Sequence, residues 1–160
     1  MNMTNRRETK KVGGQSRNYM RLSMAAESVN EGLARVAVAA FAAALNPTLE
    51  ELEDVKTAVS EAVTNAIIHG YRGFEQKGEV LLEAHIEEGE LNVTITDFGV
   101  GIKDLSQAME PLFTTAPEEE RSGMGFAFME AFMDALEVSS KPGETVIRMS
   151  KRFGKEETDV

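Results

Sequence analysis

The spacing of apolar residues in this 160-residue chain changes from helical to alternating at about residue 75, and this change restricts the fold most. Over 29–45 and 52–66, apolar residues recur every three to four positions, as on one face of a helix. Over 80–86 and 91–95 they alternate with polar residues, which is typical of strands. A third helix over 125–135 and strands over 136–141 and 144–151 follow. The order helix, helix, two strands, long loop, helix, two strands predicts an α+β two-layer sandwich.

Local signals mark where these elements begin and end. Asn46-Pro47 ends the first helix, because the residue before a proline disfavours the helical conformation. Thr48 and Glu51 then predict a capping box at the start of the second helix. Gly70 is a plausible end for that helix. We also expect His69, one residue earlier, to interact with the helix dipole rather than to act as a catalyst.

The charge is unevenly distributed along the chain and indicates a tail at each end. The net charge is −10, but residues 1–21 carry +5 and the remainder carries −15. So acidic a body argues against direct nucleic-acid binding. We predict a flexible basic leader over 1–18, one folded domain over 19–152, and a flexible C-terminal tail over 153–160.

Composition excludes several kinds of site and indicates a compartment. There are no cysteines, which excludes disulfides, zinc–thiolate sites, iron–sulfur clusters and a cysteine nucleophile, and is consistent with a cytoplasmic protein. The basic leader has no apolar segment of the secretory kind. The longest apolar-rich run, Leu33 to Leu45, has 13 residues, which is too short to span a bilayer. We therefore expect no membrane partner.

Glu61 and Asn65 are the first pair of residues suited to chemistry. They lie four positions apart on the second predicted helix and therefore share a face. A solvated polar face is the simplest interpretation of such a pair. However, an amide oxygen suits Mg²⁺, which prefers a few hard oxygen ligands and leaves positions for water and phosphate. A carboxylate suits a proton-accepting role.

Asp97 is the sharper signal, because it ends an apolar row. It continues the phase of Leu91, Val93 and Ile95 and so points to the same side of the sheet. A turn-forming Asp at a strand end is the alternative interpretation. Gly99 and Gly101 follow directly. A buried carboxylate needs hydrogen-bond donors, and glycines allow a planar ring to approach the backbone. The arrangement indicates an acceptor for an exocyclic amine.

A glycine-containing segment precedes the third helix. Residues 121–125 read Arg-Ser-Gly-Met-Gly. Backbone N–H groups at a helix start, together with the helix dipole, favour phosphate, and an arginine adds a bidentate donor. Taken alone, this segment is weak evidence for a phosphate site. Neither Gly99-x-Gly101 nor Gly123-x-Gly125 has the third glycine of the dinucleotide fingerprint, and no phosphate-loop motif is present.

Taken in order, these three motifs resemble those of the GHKL ATP-binding family. The segments 60–71 (SEAVTNAIIHGY), 111–115 (PLFTT) and 120–126 (ERSGMGF) are similar to the anti-sigma serine kinases of that family. The similarity covers about residues 20–152. It implies a two-layer sandwich whose mixed, mostly antiparallel sheet is covered on one face by helices.

The resemblance also implies a role for each matching residue. Glu61 would be the general base that accepts the proton of an attacking serine, Asn65 would hold Mg²⁺, and Asp97 would recognise the adenine amino group. The further matching positions comprise base-pocket glycines (Gly99, Gly101), ATP-lid threonines (Thr114, Thr115), a phosphate cradle (Arg121, Ser122, Gly123, Met124, Gly125), a threonine near the adenine (Thr145) and a partner-contacting arginine (Arg35). Glu144 stands where the family usually has glycine.

The implied function is an anti-sigma factor that is also an enzyme. Such a protein binds a sporulation-type sigma factor, uses ATP with Mg²⁺ to phosphorylate a serine of an anti-anti-sigma antagonist, releases ADP and is a cytoplasmic homodimer. Three alternatives stay open. They are a general-stress-type anti-sigma kinase, a detached histidine-kinase catalytic module, and a non-enzymatic module with ATP as a structural ligand. A histidine-kinase module would need a phospho-accepting histidine on a helical segment, and we find none before residue 30.

Overall fold

The computed structural model describes residues 18–110 and 125–154 of the chain. Five strands are present in this part, namely β1 (Asn18–Ala25), β2 (Glu79–Glu87), β3 (Glu90–Asp97), β4 (Ala135–Lys141) and β5 (Glu144–Arg152). The α-helices are α1 (Asn30–Ala42), α2 (Leu49–Thr64), α3 (Leu105–Ala108) and α4 (Gly125–Phe132). A 3₁₀ turn, Ala43–Leu45, follows α1, and a π-helical segment, Asn65–Gly70, continues α2.

The strands form one sheet in the order β1-β2-β3-β5-β4, and all four pairings are antiparallel. One face of the sheet is apolar and packs against α1, α2 and α4. Its fully buried side chains include Leu82 on β2 and Leu91, Val93 and Ile95 on β3. On the helical side, Val55, Val59 and Val63 of α2 are fully buried. The predicted α+β two-layer sandwich is therefore confirmed, and within the described residues its sheet is wholly antiparallel rather than mixed.

The other face of the sheet is polar. Arg21, Glu83, Thr94, Arg148 and Glu137 occupy one row across the five strands. Arg21 lies 3.9 Å from Glu83, and Arg148 lies 3.9 Å from Glu137, with largely exposed side chains. Such exposed pairs contribute little stability, so this row is a solvated surface.

The predicted local signals account for most element boundaries. Thr48 Oγ1 accepts the Glu51 N–H and Glu51 Oε2 accepts the Thr48 N–H, which confirms the capping box. Asn46 ends the preceding turn in the left-handed conformation. The second helix does reach Gly70, but its last six residues widen into a π-helix, which the sequence analysis did not predict.

Two predictions of secondary structure were wrong. No strand was predicted before the first helix, yet β1 pairs with β2 along its whole length, from Asn18 opposite Ile86 to Ala25 opposite Glu79. The third helix was predicted to reach Ala135, but it ends at Phe132 and Ala135 begins β4. Pairing with β5 outweighs the helical preference there. Within the described ranges, no helix combines the length and apolarity needed to cross a bilayer.

Candidate functional site

A cavity of about 290 Å³ opens next to the C-terminal end of β3, the central strand of the sheet. The π-helical segment, the loop after β3, the short α3 and the start of α4 surround it. Five residues predicted from sequence line this cavity, namely Asn65, Asp97, Gly101, Gly125 and Thr145. Residues separated by up to 80 positions thus meet around one space.

Glu61 and Asn65 meet Gly125 at the N-terminal end of α4, and Asn65 and Gly125 line the cavity. A β-carbon placed on Gly125 would lie 3.2 Å from Glu61 Oε2 and 3.4 Å from Asn65 Nδ2. Glycine therefore allows the start of α4 to approach both polar side chains. The Asn65 Nδ2 atom is buried and has no hydrogen-bond partner among the described residues. An unpaired buried amide is costly, and here it borders a cavity that a polar ligand can enter.

The chemistry at this end suits Mg²⁺ bound together with phosphate rather than a cation held by protein alone. In the described part of the chain, no three His, Cys, Asp or Glu residues cluster closely enough to hold a metal. Mg²⁺ commonly takes one or two protein oxygens and fills its shell with water and phosphate. The Asn65 side-chain amide offers such an oxygen next to the buried N–H group that lacks a partner. The residues present therefore fit a magnesium–phosphate ligand.

Asp97 also lines the cavity, with only 4% of its surface exposed. Its Oδ1 atom accepts the N–H of Gly99 at 3.0 Å. Burial raises the pKa of this carboxyl from 3.8 to about 6, although the Gly99 hydrogen bond opposes the rise. Asp97 is thus a buried hydrogen-bond acceptor, as its position at the end of an apolar row predicted.

Close backbone packing holds the glycines beside Asp97. A β-carbon on Gly70 would lie 2.6 Å from Asp97 Oδ1. Gly101 has a φ of +78°, and a β-carbon there would lie 2.5 Å from the carbonyl oxygen of Lys141. Gly70, which the sequence analysis interpreted only as a helix end, is therefore also required by its contact with the carboxylate.

Thr145 lies beside Asp97 and is linked to a residue that the sequence analysis missed. It is directly opposite Asp97 in the register of β3 and β5, and it is buried even though Glu144 precedes it. Its Oγ1 atom lies 2.7 Å from Ser140 Oγ on β4. Ser140 Oγ also accepts the N–H of Ile102 at 2.8 Å. No local motif marks this serine, because its partners are 5 and 38 positions away.

Two cationic side chains also border the cavity and were not predicted. Arg72 lies just after the π-helical segment, and Lys103 lies in the loop between β3 and α3. Both would oppose the negative charge of a phosphate ligand in a protein whose body is acidic. His69 lines the same cavity, although we had expected it only to interact with the helix dipole.

The remaining predicted residues lie elsewhere. Arg35 is on α1, outside the cavity lining, where its Nε atom lies 3.8 Å from Glu31 Oε1. Glu31 in turn accepts a hydrogen bond from Ser60 on α2. Thr114, Thr115, Arg121, Ser122, Gly123 and Met124 lie outside the described residues, as do residues 1–17 of the leader and residues 155–160 of the tail.

The sequence matches a known protein family and several known proteins. The profile of the histidine kinase-like ATPase domain family matches residues 22–151. An anti-sigma F factor of Clostridium perfringens is 60% identical over 137 residues, which are 85% of this chain and 97% of the relative. The anti-sigma F factor of Clostridium beijerinckii is 55% identical over 139 residues, covering 86% of this chain and 96% of the relative. That of Thermoanaerobacter pseudethanolicus is 53% identical over 138 residues, covering 86% and 95%.

A solved structure shares the fold at low sequence identity. The RsbU and RsbW domains of a Mycobacterium tuberculosis protein superpose with a TM-score of 0.62 at 19% identity. The match covers 84% of this chain but only 32% of that chain. At this identity the likeness concerns the fold alone.

Proposed function

The chain belongs to the histidine kinase-like ATPase family and, within it, to the anti-sigma F factors, and from this premise we propose that it is an ATP-dependent protein-serine kinase that inhibits a sigma factor. It would bind a sporulation-type sigma factor. It would also phosphorylate a serine of an anti-anti-sigma antagonist, which inactivates that antagonist. It would act in the cytoplasm as a homodimer.

One observation carries the enzymatic part of the proposal. Glu61 and Asn65 converge on Gly125, and Asp97 lies opposite Thr145 in the register of β3 and β5. Asn65, Gly125, Asp97 and Thr145 all line the same cavity. The first group suits a metal-bound phosphate and the second suits an adenine amino group. A purine nucleotide with its phosphates toward α4 would satisfy both groups at once. ATP and ADP with Mg²⁺ are the ligands that we propose for this cavity.

In the proposed reaction, Glu61 accepts the proton of the substrate serine while the serine oxygen bonds to the γ-phosphorus. The bond between that phosphorus and the bridging oxygen of ADP breaks, so the products are phosphoserine and ADP. Bound Mg²⁺ would offset phosphate charge, and such charge stabilisation together with positioning is most of what phosphoryl transfer requires. Arg72 and Lys103 would add positive charge at the cavity, and Asn65 would orient the phosphate end.

The partner-binding part of the proposal rests on α1. Val29, Leu33 and Val36 are exposed around this helix, at 83%, 52% and 59%. Grouped exposed apolar residues are typical of protein-binding surfaces. Arg35 is on the same helix, about 100° around its axis from Val36, and 43% of its side chain is exposed. We propose that the sigma factor contacts this surface and that Arg35 supplies a polar contact.

A single-turnover assay with γ-labelled ATP and the purified antagonist tests the enzymatic proposal. Glu61→Gln should abolish label transfer while magnesium–ATP affinity stays within about threefold, because only the proton acceptor is lost. Glu83→Gln is the matched control, since Glu83 lies on β2, away from the cavity, and half of its side chain is exposed. Unchanged transfer by Glu61→Gln would refute the assignment of the base.

The same assay separates the alternatives. Acid-stable label on the antagonist supports a serine kinase, whereas acid-labile label would indicate histidine phosphorylation. If Glu61→Gln still released the sigma factor normally when ATP and antagonist were added, ATP would be a structural ligand only. A pull-down with immobilised protein in ATP or ADP, using purified sigma factors of the sporulation and general-stress types, distinguishes the two partner classes.

A further inference from the structure

Tyr71 lies directly behind Asp97, the proposed adenine acceptor at the end of β3, and the loop that follows it. It follows the π-helical segment and is 2% exposed. Its hydroxyl donates to the carbonyl oxygen of Glu79 at 2.5 Å and accepts the N–H of Phe98 at 3.0 Å. One side-chain oxygen therefore joins the end of the long helix, the start of β2 and the first residue after β3.

The Phe98 N–H is the first of three successive amides that are fixed in this loop. Gly99 N–H bonds to Asp97 Oδ1 at 3.0 Å, and Val100 N–H bonds to the carbonyl oxygen of Gly70 at 2.7 Å. The hydroxyl of Tyr71 thus holds the peptide that joins Asp97 to Phe98. Asp97 Oδ1 accepts the Gly99 N–H, so Oδ2 is the carboxylate oxygen left for a ligand. The direction of Oδ2 depends on the orientation of the peptide between Asp97 and Phe98.

The tyrosine ring is itself confined, so its hydroxyl has a defined position. A β-carbon on Gly78 would lie 3.0 Å from two atoms of the Tyr71 side chain, Cε1 and the hydroxyl oxygen. Phe74 packs edge-to-face against the ring, with centroids 5.5 Å apart and planes at 87°. Burial, and to a lesser degree the nearby Asp97 charge, raises the pKa of Tyr71, so the hydroxyl keeps its proton.

We propose that the Tyr71 hydroxyl is a positioning residue that sets the preference of this cavity for 6-aminopurines over 6-oxopurines. The inference rests on the proposed role of Asp97 as acceptor of the adenine amino group. At the same position a hypoxanthine ring presents a carbonyl oxygen, and two acceptors repel one another. A site built to accept a particular N–H rejects the analogue that lacks it only while the acceptor is correctly aimed.

The test compares magnesium-dependent binding of ATP and inosine triphosphate by calorimetry, using the full chain. Tyr71→Phe keeps the ring and removes the hydroxyl. We expect ATP to bind roughly 5- to 20-fold more weakly and inosine triphosphate to change less than about twofold, because only the purine contact is misaligned. Tyr19→Phe is the matched control, since Tyr19 is the chain's other tyrosine and is 71% exposed on β1.

Equal weakening of both nucleotides, or no change in either, would overturn the inference and leave Tyr71 a purely structural residue. Asp97→Asn separates the proposed role of Tyr71 from the proposed role of Asp97. If Asp97→Asn loses the preference and Tyr71→Phe retains it, the inference fails and the role of Asp97 stands. If the unmodified chain shows no preference, both fail.

A second variant covers the case in which Tyr71→Phe does not fold. Gly78→Ala keeps the tyrosine hydroxyl but displaces it and the ring by a few tenths of an ångström, because the added β-carbon would lie 3.0 Å from the hydroxyl oxygen and from Cε1. We expect a smaller loss of the same preference, about two- to fivefold, with inosine triphosphate unaffected. An unaltered preference in folded Gly78→Ala, confirmed by its melting temperature, would contradict the proposal.

Discussion

The carbonyl oxygen of Gly70 lies 1.7 Å from the point where a β-carbon on Gly99 would stand. The end of the π-helical segment and the loop after β3 therefore touch backbone to backbone. The Val100 N–H completes the contact by donating to that same carbonyl at 2.7 Å. This contact places the helix that bears Glu61 and Asn65 against the loop that directly follows Asp97.

Gly99→Ala should therefore separate the two elements. A methyl group cannot be accommodated at 1.7 Å from a carbonyl oxygen, so the backbone must move. We expect the free energy of unfolding to fall by about 2 kcal/mol or more and ATP affinity to fall at least roughly tenfold. Urea unfolding and calorimetry measure the two effects.

Gly32→Ala is the control for that substitution. Gly32 lies in α1, and the nearest atom to a β-carbon there is Arg35 Nη2 at 4.0 Å. Replacing a helical glycine with alanine should be neutral or stabilising by about 0.5–1 kcal/mol. Equal stability of Gly99→Ala and the unmodified chain would show that the backbone contact is not rigid.

Asp97→Asn should stabilise the ligand-free protein at neutral pH. The pKa of Asp97 is about 6 in the folded chain, and its ordinary value is 3.8. The folded state therefore keeps this proton up to a higher pH than the unfolded state does. Between pH 4 and 7 the contribution of Asp97 to the free energy of unfolding therefore falls as pH rises, and asparagine avoids this loss. The gain should be small at pH 4 and reach the order of 1–3 kcal/mol at pH 8.

Urea unfolding across this pH range measures the effect. Glu137→Gln is the control, because it removes one negative charge from the exposed face of the sheet. It should leave the pH profile unchanged within about 0.5 kcal/mol. A constant difference between Asp97→Asn and the unmodified chain at every pH would mean that Asp97 does not titrate in this range.

The preference for ATP over inosine triphosphate should decrease on acidification. Protonated Asp97 no longer accepts from the adenine amino group through a charged oxygen, and its new O–H can donate to a 6-oxo group. The preference is the dissociation constant of inosine triphosphate divided by that of ATP. Because the carboxyl titrates near pH 6, this ratio should fall by roughly tenfold when the pH is lowered from 7.5 to 5. Comparing the two nucleotides cancels the titration of their phosphates. A ratio independent of pH would argue against an ionised acceptor at this position.

Ser140→Ala should weaken nucleotide binding without unfolding the protein. It removes the acceptor of the Ile102 N–H and the partner of the Thr145 hydroxyl. We expect stability to fall by about 1–2 kcal/mol and ATP affinity to fall roughly three- to tenfold. Ser139→Ala is the matched control, since Ser139 is the neighbouring residue and is exposed. Equal effects of the two substitutions on affinity would contradict a specific role for Ser140.

Local signals explain what the sequence predicted correctly. The capping box of Thr48 and Glu51, the end of the helix at Gly70 and the alternation that buries Leu91, Val93 and Ile95 each depend on neighbours within a few positions. The same alternation placed Asp97 on the core side. These features could therefore be read without knowledge of the rest of the molecule.

Other features depend on contacts between distant parts of the chain. The hydroxyl of Tyr71 reaches Phe98, 27 positions away, and Ser140 reaches Ile102, 38 positions away. The widening of the helix at Asn65 likewise has no pattern in the sequence. By contrast, β1 did carry a signal, because Met20, Leu22 and Met24 alternate with polar residues.

The uncovered face of the sheet has a practical consequence for studying this protein. Because the chain contains no cysteine, one introduced at Glu137 or Ser139 would be a unique attachment point for a fluorophore. Both positions are exposed on β4, while the cavity lies on the helical side. A dye placed there would report on tumbling and on partner association while leaving the nucleotide end of the molecule chemically unaltered.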